Sequence, residues 1–243
     1  MADMTREEVE ERLEEYAAYK AIKEAHEDLN ENNQGQNNEN TEYPDSDLRS
    51  PENKDTKIDE LTSVKDEASQ EKIDPEGESI HSSAPSFDNC DLSELDLSDL
   101  NFLGISIQNA NLVKTILNRA NLSSVALVKT NLQGAHLIET NLSEADLLGA
   151  NLSQSNLEDA NFEGSILNEA DLSEAQLERA NLRKCKIIEA NFTKSKLNEV
   201  TCGLTDFSRS DFTEAQALGA DLNRVKLSGA NLKNSDFTDS RLS

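Results

Sequence analysis

The sequence of 243 residues contains no tryptophan, only three cysteines and four prolines, and 4% aromatic residues. Three cysteines cannot make the disulfide framework that small secreted domains use in place of a large core. No apolar run is long enough to cross a membrane, and the first residues lack the basic and apolar regions of a signal peptide. We therefore expect a cytoplasmic protein that does not enter a membrane.

Basic residues are also scarce, since 23 Lys and Arg accompany 48 Asp and Glu, for a formal net charge of −25. This excess of negative charge disfavours nonspecific binding to nucleic acids or anionic lipids. Hydrophobic residues make up only 35% of the chain, which is too few for one conventional globular domain of this length. The composition therefore predicts that only part of the chain forms a packed core.

The composition changes near residue 87. Residues 1–86 have a net charge of −16 and contain all four prolines, whereas residues 87–243 have a net charge of −9 and contain all seven phenylalanines. The first part is typical of a tail and linker, and the second of a folded domain. We predict a disordered acidic linker over residues 30–86, because its Asn- and Gln-rich sequence has little apolar surface to bury.

A charged N-terminal helix is predicted over residues 1–29. Thr5 and Glu8 have the spacing of a capping box, in which each side chain satisfies a backbone N–H of the other residue. Val9, Leu13 and Tyr16 would share one face of the helix that follows. Three placements are open for this helix: it stays in solution, it docks on a partner, or it caps the folded domain.

From residue 87 onward the chain follows a five-residue register. Of the 32 central positions, taken every fifth residue from Phe87 to Leu242, 21 are Leu, seven are Phe and two are Ile. The residue two places before each central position is mostly small, and the residue directly before it is Asn or Asp in 19 of 31 cases. Neither a helix nor an ordinary strand has a period of five, so the pattern predicts a repeat architecture.

This repeat unit predicts a solenoid, in which one large and one small apolar side chain per unit point inward and neighbouring coils stack. Six of the nine glycines lie two residues after a central position, where a turn would need a positive φ. Many other units have Glu, Lys or Arg there, so we expect the turn type to vary. Cys202 and Ala217 are the two central residues of reduced volume. They predict that the weakest stretch of the solenoid lies between them.

The pattern, for example Ala150-Asn151-Leu152-Ser153-Gln154, resembles the pentapeptide-repeat family over residues 87–243 without a break in phase. The resemblance implies an all-β solenoid, a right-handed four-sided β-helix with four repeats per coil and hence about eight coils. At about 4.8 Å per coil such a rod would be roughly 38 Å long. Residues directly before the central positions, taken every 20 residues, form two nearly continuous ladders of Asn and Asp, which also favours four sides.

No motif points to chemistry. The three histidines are far apart in the sequence, the three cysteines fall on inward positions, and no phosphate-binding loop, nucleophile motif or metal-ligand spacing occurs. We therefore expect that the protein is not an enzyme, and we predict no catalytic, cofactor-binding or metal-binding residues and no cofactor.

Two surfaces are candidates for binding. The first is an aliphatic patch at outward positions of the face that begins with Phe87. It comprises Ala126, Val128, Leu148, Ile166 and Ile188. The second is the C-terminal coil, because the register ends without a capping helix and would leave inward residues uncovered. These residues are Leu227, Leu232, Phe237 and Leu242.

The C-terminal coil predicts a homodimer, and the resemblance points the same way, since several family members dimerise through their C-terminal coils. The alternative is a monomer whose edge is protected by the charges of Lys233, Asp239 and Arg241.

Together these features predict a non-enzymatic protein-binding or scaffold module that acts through the outer faces of the β-helix. Its partner would be a protein, without direct contact to nucleic acid. The resemblance leaves two alternatives: a DNA mimic that binds DNA gyrase or topoisomerase, as quinolone-resistance members do, and a secreted bacterial effector or adaptor. The unbroken register and the cluster of Lys184, Lys186, Lys194 and Lys196 count against DNA mimicry.

Overall fold

A helix and a β-solenoid make up the residues that the computed structural model describes, which are 4–18, 20 and 86–242. The helix, α1, occupies residues 6–18. Met1–Ala17 and Ala84–Ser243 belong to one compact unit, and Ala18–Ser83 to a second. Apart from residue 86, the predicted linker lies outside the described residues, as does the predicted N-terminal helix beyond residue 20.

The solenoid closes one coil every 20 residues. Each residue directly before a central position forms a parallel bridge with the residue 20 positions further on, from Ser86 with Ser106 to Asp221 with Arg241. Within residues 86–242 these bridges join single residues rather than longer strands. With four bridges per coil, the fold is a right-handed four-sided β-helix of eight coils, as the sequence predicts.

Coils are numbered in chain order, so that coil 1 comprises residues 86–105 and coil 8 residues 226–242. Each face is named after its first central residue. The four faces are the Phe87, Leu92, Leu97 and Phe102 faces.

The core fills the inside of the solenoid. All central residues from Phe87 to Leu222 are at most 5% exposed, so each unit contributes one large inward side chain. Thr at the small inward positions bonds to carbonyls of the preceding coil, as where Thr130 Oγ1 donates to Ile107 O at 2.6 Å, whereas Ser155 Oγ donates within its own coil to Leu152 O at 2.7 Å. Among the described residues, no buried side-chain nitrogen or oxygen lacks a hydrogen-bond partner. Packing between coils therefore carries most of the stability.

The two small central residues lie opposite phenylalanines. Ten residues are half of a 20-residue coil, so Cys202 faces the side of Phe192, and Ala217 faces the side of Phe207. The rings of Phe192, Phe207 and Phe212 have centroids 4.8 to 5.8 Å apart. The small volume of the Cys202 and Ala217 side chains is thereby offset by the larger phenylalanine side chains on the opposite faces. Weakness between residues 202 and 217 stays a prediction, with a smaller expected effect than the sequence suggests.

Every corner of the solenoid contains a residue with positive φ, including the corners occupied by Glu, Lys or Arg. Variation of the turn type between corners stays a prediction. All 31 residues two places after a central position, from Asn89 to Asp239, have φ between 54° and 77°. A positive φ at this position of a four-residue turn is the feature of a type II turn. The corner N–H also donates to the next coil, as from Lys129 to Leu148 O at 2.9 Å. Bonds between coils therefore impose the left-handed conformation on Glu, Lys and Arg as well as on Gly.

Two exposed lysines of coil 6 test this account. Lys194 lies at a corner with φ of 59°, whereas Lys196 lies at an extended bridge position. A left-handed residue other than Gly costs about 1–2 kcal/mol. We therefore expect Lys194→Gly to raise the free energy of unfolding by up to about 1 kcal/mol, after the entropy cost of Gly. Lys196→Gly should lower it by about 0.5–1 kcal/mol. Chemical denaturation of both variants checks this, and equal losses would contradict it.

Asn and Asp side chains form the predicted ladders. Asn141 Oδ1 accepts the N–H of Ser143 at 3.2 Å, and its Nδ2 donates to Asn121 Oδ1 of the preceding coil at 3.2 Å. On the Phe102 face four such amide bonds of 2.8 to 3.2 Å run without interruption from Asn101 to Asn181. Each amide thus stabilises its own turn and links two coils.

The apolar side of α1 covers coil 1. The capping box forms as predicted, since the N–H of Thr5 donates to Glu8 Oε2 at 2.7 Å and the N–H of Glu8 donates to Thr5 Oγ1 at 3.2 Å. Val9 is fully buried, and Leu13 and Tyr16 are half-buried against the core of the solenoid. Of the three placements that the sequence leaves open, capping is the one observed.

The segment around α1 also replaces donors that a preceding coil would supply. Inside the solenoid, a carbonyl before a central position accepts the N–H of a central residue of the preceding coil. In coil 1 the N–H of Met4 donates to Asp91 O at 3.2 Å, and Arg6 Nη1 donates to Asp96 O at 2.7 Å. The guanidinium of Arg12 lies 5.7 Å from the ring centroid of Phe87. The N-terminal edge is therefore covered by α1, and two of its carbonyls are paired.

Candidate functional site

The predicted aliphatic patch lies on two columns of the Phe87 face. Backbone bonds from Asn109 N to Val128 O and from Lys129 N to Leu148 O place Val128 and Leu148 on successive coils of one column. The column continues through Asn168 to Ile188. The second column contains Ala126 and Ile166. All five patch residues are half-buried.

Two polar residues interrupt the patch, and one side-chain oxygen of each bonds to the backbone. Asp146 lies between Ala126 and Ile166, and its Oδ1 accepts the N–H of Leu148 at 3.1 Å. Asn168 lies between Leu148 and Ile188, and its Oδ1 accepts the N–H of Ile188 at 2.9 Å. The patch therefore has one adjacent pair, Val128 and Leu148, with three further aliphatic residues nearby.

The predicted C-terminal surface is open in the structure. Leu232 is 42% and Leu242 66% exposed, while Leu227 and Phe237 are half-buried. In the described part of the chain, the backbone N–H groups of Leu227, Leu232 and Phe237 have no acceptor. In coil 7 the equivalent N–H of Phe207 donates to the next coil at 2.8 Å. Coil 8 thus combines apolar side chains with unpaired edge groups.

Two further exposed leucines were missed by the sequence reasoning. Leu204 is 50% and Leu218 37% exposed. Leu204 lies at the corner between the Phe102 and Phe87 faces, and Leu218 lies on the Leu97 face. The signal available in the sequence was an apolar residue after a central position, where most units have a polar residue or Gly.

The two buried thiols, Cys185 and Cys202, are unreactive. Burial raises the pKa of Cys185 to about 11, and burial also raises the pKa of Cys202 well above the usual value for a thiol. Both thiols therefore stay protonated at neutral pH and are poor nucleophiles. Within residues 4–18, 20 and 86–242, no group of three His, Cys, Asp or Glu side chains could hold a metal ion.

Charge is unevenly distributed along the rod. Coils 1–4 contain 11 acidic and three basic residues, whereas coils 5–8 contain 12 acidic and 11 basic residues. Ion pairs connect successive coils at the corner between the Leu97 and Phe102 faces, where Arg119 Nη2 lies 2.7 Å from Asp99 Oδ2 and Arg179 Nη2 lies 2.7 Å from Asp159 Oδ2. The hydrogen bond from Arg119 holds the pKa of Asp99 below its usual value. Solvent screens exposed pairs of this kind, so they add little to stability.

Stacked 20-residue coils, a filled interior and ladders on the outside define a β-solenoid repeat protein. A family model described as pentapeptide repeats (8 copies) matches most of the solenoid. The chain belongs to the pentapeptide-repeat family. The matched residues are 86–123, 126–164, 155–193, 165–201 and 205–243.

Solved structures of pentapeptide-repeat proteins are similar to this chain at low identity. HetL, involved in heterocyst differentiation regulation in the cyanobacterium Nostoc sp. strain PCC 7120, is 24% identical over 61% of this chain and 87% of its own, with a TM-score of 0.25. A trypsin-treated form of QnrB1, a plasmid-mediated fluoroquinolone resistance protein, is 20% identical over 64% of this chain and 78% of its own, with a TM-score of 0.41. Rfr23 from the cyanobacterium Cyanothece 51142 is 24% identical over 65% of this chain and 86% of its own, with a TM-score of 0.20.

A comparison with curated proteins finds no match. No helix in the described part of the chain is long and apolar enough to span a membrane.

Proposed function

We propose that the protein is a non-enzymatic protein-binding or scaffold module, whose partner contacts the aliphatic patch of the Phe87 face. The observation that carries this proposal is the stacked pair of Val128 and Leu148, with two polar neighbours that each bond to the backbone through one side-chain oxygen. A rigid face of this kind loses little conformational entropy on binding. The three free thiols are compatible with a cytoplasmic location, which we also propose.

Substitution of the stacked pair tests the proposal. Val128→Lys with Leu148→Lys should weaken binding at least tenfold, because two desolvated charges would oppose the apolar contact. A partner is first identified by pull-down with the full chain and with residues 87–243, and its affinity is then measured with purified proteins. Val113→Lys is the matched control, because Val113 is a half-buried aliphatic residue at the same repeat position on the Leu92 face. Equal affinity of wild type and double variant for that partner would refute the proposal.

We also propose that the protein forms a two-fold homodimer through coil 8. The open apolar surface and the unpaired N–H groups of this coil support the proposal, because an uncovered solenoid end needs a cap or a partner. The other end already has a cap in α1, so a two-fold contact would leave no bare edge.

Sedimentation velocity of the full chain and of Phe237→Lys tests the dimer. We expect the wild type to sediment as a dimer at tens of micromolar, and Phe237→Lys to sediment as a monomer. Leu204→Lys adds the same charge to an exposed leucine outside coil 8 and should leave the dimer intact. A monomeric wild type, or a dimer that Phe237→Lys does not affect, would contradict this proposal.

The alternative of a DNA mimic that binds gyrase is supported by one observation, the net charge of −8 over coils 1–4. The net charge of only −1 over coils 5–8 opposes it, because a DNA-like surface would be negative along its length. Gyrase binding should fall steeply with salt, whereas binding through the aliphatic patch should change little. The same affinity measurement at low and high salt therefore separates the two functions.

A further inference from the structure

A cationic surface surrounds Leu204 at the corner between the Phe102 and Phe87 faces. Leu204 lies between Lys184 and Arg224 in one corner column, because successive coils stack in register. In the next column, Lys186 and Lys226 each bridge with Asp206. We call this surface, with Arg183, the Leu204 corner.

Most of the positive charge of this corner is available to a partner. Lys184 pairs with Glu163 at 2.7 Å, and Lys226 with Asp206 at 3.3 Å. Arg183, Lys186 and Arg224 make no ion pair with another residue of the described ranges, and all three are exposed. Five cations and two carboxylates, Asp206 and Glu163, thus lie together on a chain whose net charge is −25.

Leu204 itself is unsuited to its position in the fold. Among the 31 corner residues it is the one apolar side chain, and its φ of 69° is the largest of the non-glycine corners. A left-handed conformation costs Leu about 1–2 kcal/mol, and half of the residue remains exposed to water. Asn or Gly would suit the corner better on both counts, so the fold gives no reason for a leucine here.

The neighbouring Gly203 shapes the surface beside Leu204. Gly203 is buried, and a Cβ added to it would lie 3.5 Å from Arg183 Nη1. The guanidinium of Arg183 therefore lies close to the glycine backbone, beside the exposed leucine. A planar guanidinium in this position can bind a carboxylate through two parallel hydrogen bonds.

We propose that the Leu204 corner binds a short acidic peptide segment of a partner protein, with an aliphatic side chain of that segment against Leu204. Carboxylates of the segment would pair with Arg183, Lys186 and Arg224. A nucleic acid fits less well, because phosphates make no use of the leucine.

The test uses the full chain and a fluorescein-labelled nonapeptide of Asp and Glu with Leu at its centre, measured by fluorescence anisotropy. We expect saturable binding, which falls at least tenfold in the double variant Arg183→Ala with Arg224→Ala. Lys194→Ala with Lys196→Ala is the matched control, because it removes the same charge from other faces of coil 6. Val128→Lys with Leu148→Lys should also leave peptide binding unchanged, so this proposal and the proposed function can fail separately.

A second arm tests the leucine. Leu204→Asn keeps a side chain that tolerates the left-handed corner, so the variant should unfold at or above the wild-type temperature. It should bind the Leu-centred peptide and a Ser-centred peptide equally, whereas the wild type should prefer the Leu-centred peptide at least threefold. Four results would overturn the proposal. The first three are absence of binding at 1 mM peptide, equal losses in both double alanine variants, and an unchanged peptide preference in Leu204→Asn. The fourth is tighter binding of a ten-nucleotide oligothymidine, if the Arg183→Ala and Arg224→Ala changes weaken that binding.

Discussion

Leu152→Ala is expected to lower the free energy of unfolding by about 2–5 kcal/mol. Leu152 is a fully buried central residue of coil 4, with a stacked coil on each side. Removing most of its side chain leaves a cavity that the stacked coils cannot close, because backbone hydrogen bonds between coils hold each coil in place. Urea denaturation followed by circular dichroism measures the loss.

The chain supplies a matched control in coil 8. Leu232 occupies the same face in the same local sequence, Ala-Asn-Leu, but it is 42% exposed. In a monomer, Leu232→Ala should therefore cost less than about 1.5 kcal/mol. A loss at Leu232 that equals the loss at Leu152 and grows with protein concentration would instead indicate that coil 8 is buried in the proposed dimer. Small, equal losses at both positions would contradict the stacked core.

Val9→Asp is the second large change, and we expect it to undock α1 from coil 1. Val9 is fully buried, so an aspartate at this position would bury a charged carboxylate unless the helix detached from coil 1. Detachment also uncovers Met4 and the N-terminal edge, and the combined loss should be about 2–4 kcal/mol. Hydrogen exchange should show the amide of Leu92, in coil 1, exchanging at least tenfold faster, while the amide of Leu152 changes little.

Ala17→Asp is the control for this prediction, since Ala17 lies in the same helix but is exposed. It adds the same charge without touching coil 1 and should change neither stability nor exchange. Unchanged exchange in Val9→Asp would show that α1 does not protect the first coil. The solenoid itself should still fold in either variant, because residues 87–243 contain the whole register.

The candidate surfaces were only partly predictable from the sequence. The register identifies Val128 and Leu148 as outward-facing neighbours, because residues 20 positions apart must stack in a four-sided coil. The register does not show that Asp146 and Asn168, which interrupt the patch, bond to the backbone, because that depends on side-chain placement. The Leu204 corner was only partly visible in the sequence, which groups Lys184 and Lys186 with two lysines of other faces. Arg224 and Lys226 join them only when the coils stack.

The five-residue register by itself determined a solenoid and its inward residues, because it buries one large side chain per unit. The resemblance to the pentapeptide-repeat family, together with the two Asn and Asp ladders, added the four-sided β-helix. Only the tertiary structure decided how the corners, the core and the N-terminal end are completed. Hydrogen bonds between coils force Glu and Lys into left-handed corners against their local preference. Phe192 and Phe207 fill the volume opposite Cys202 and Ala217, and Met4 and Arg6 supply donors to coil 1. Each of these contacts joins residues distant in sequence, so no local pattern could specify it.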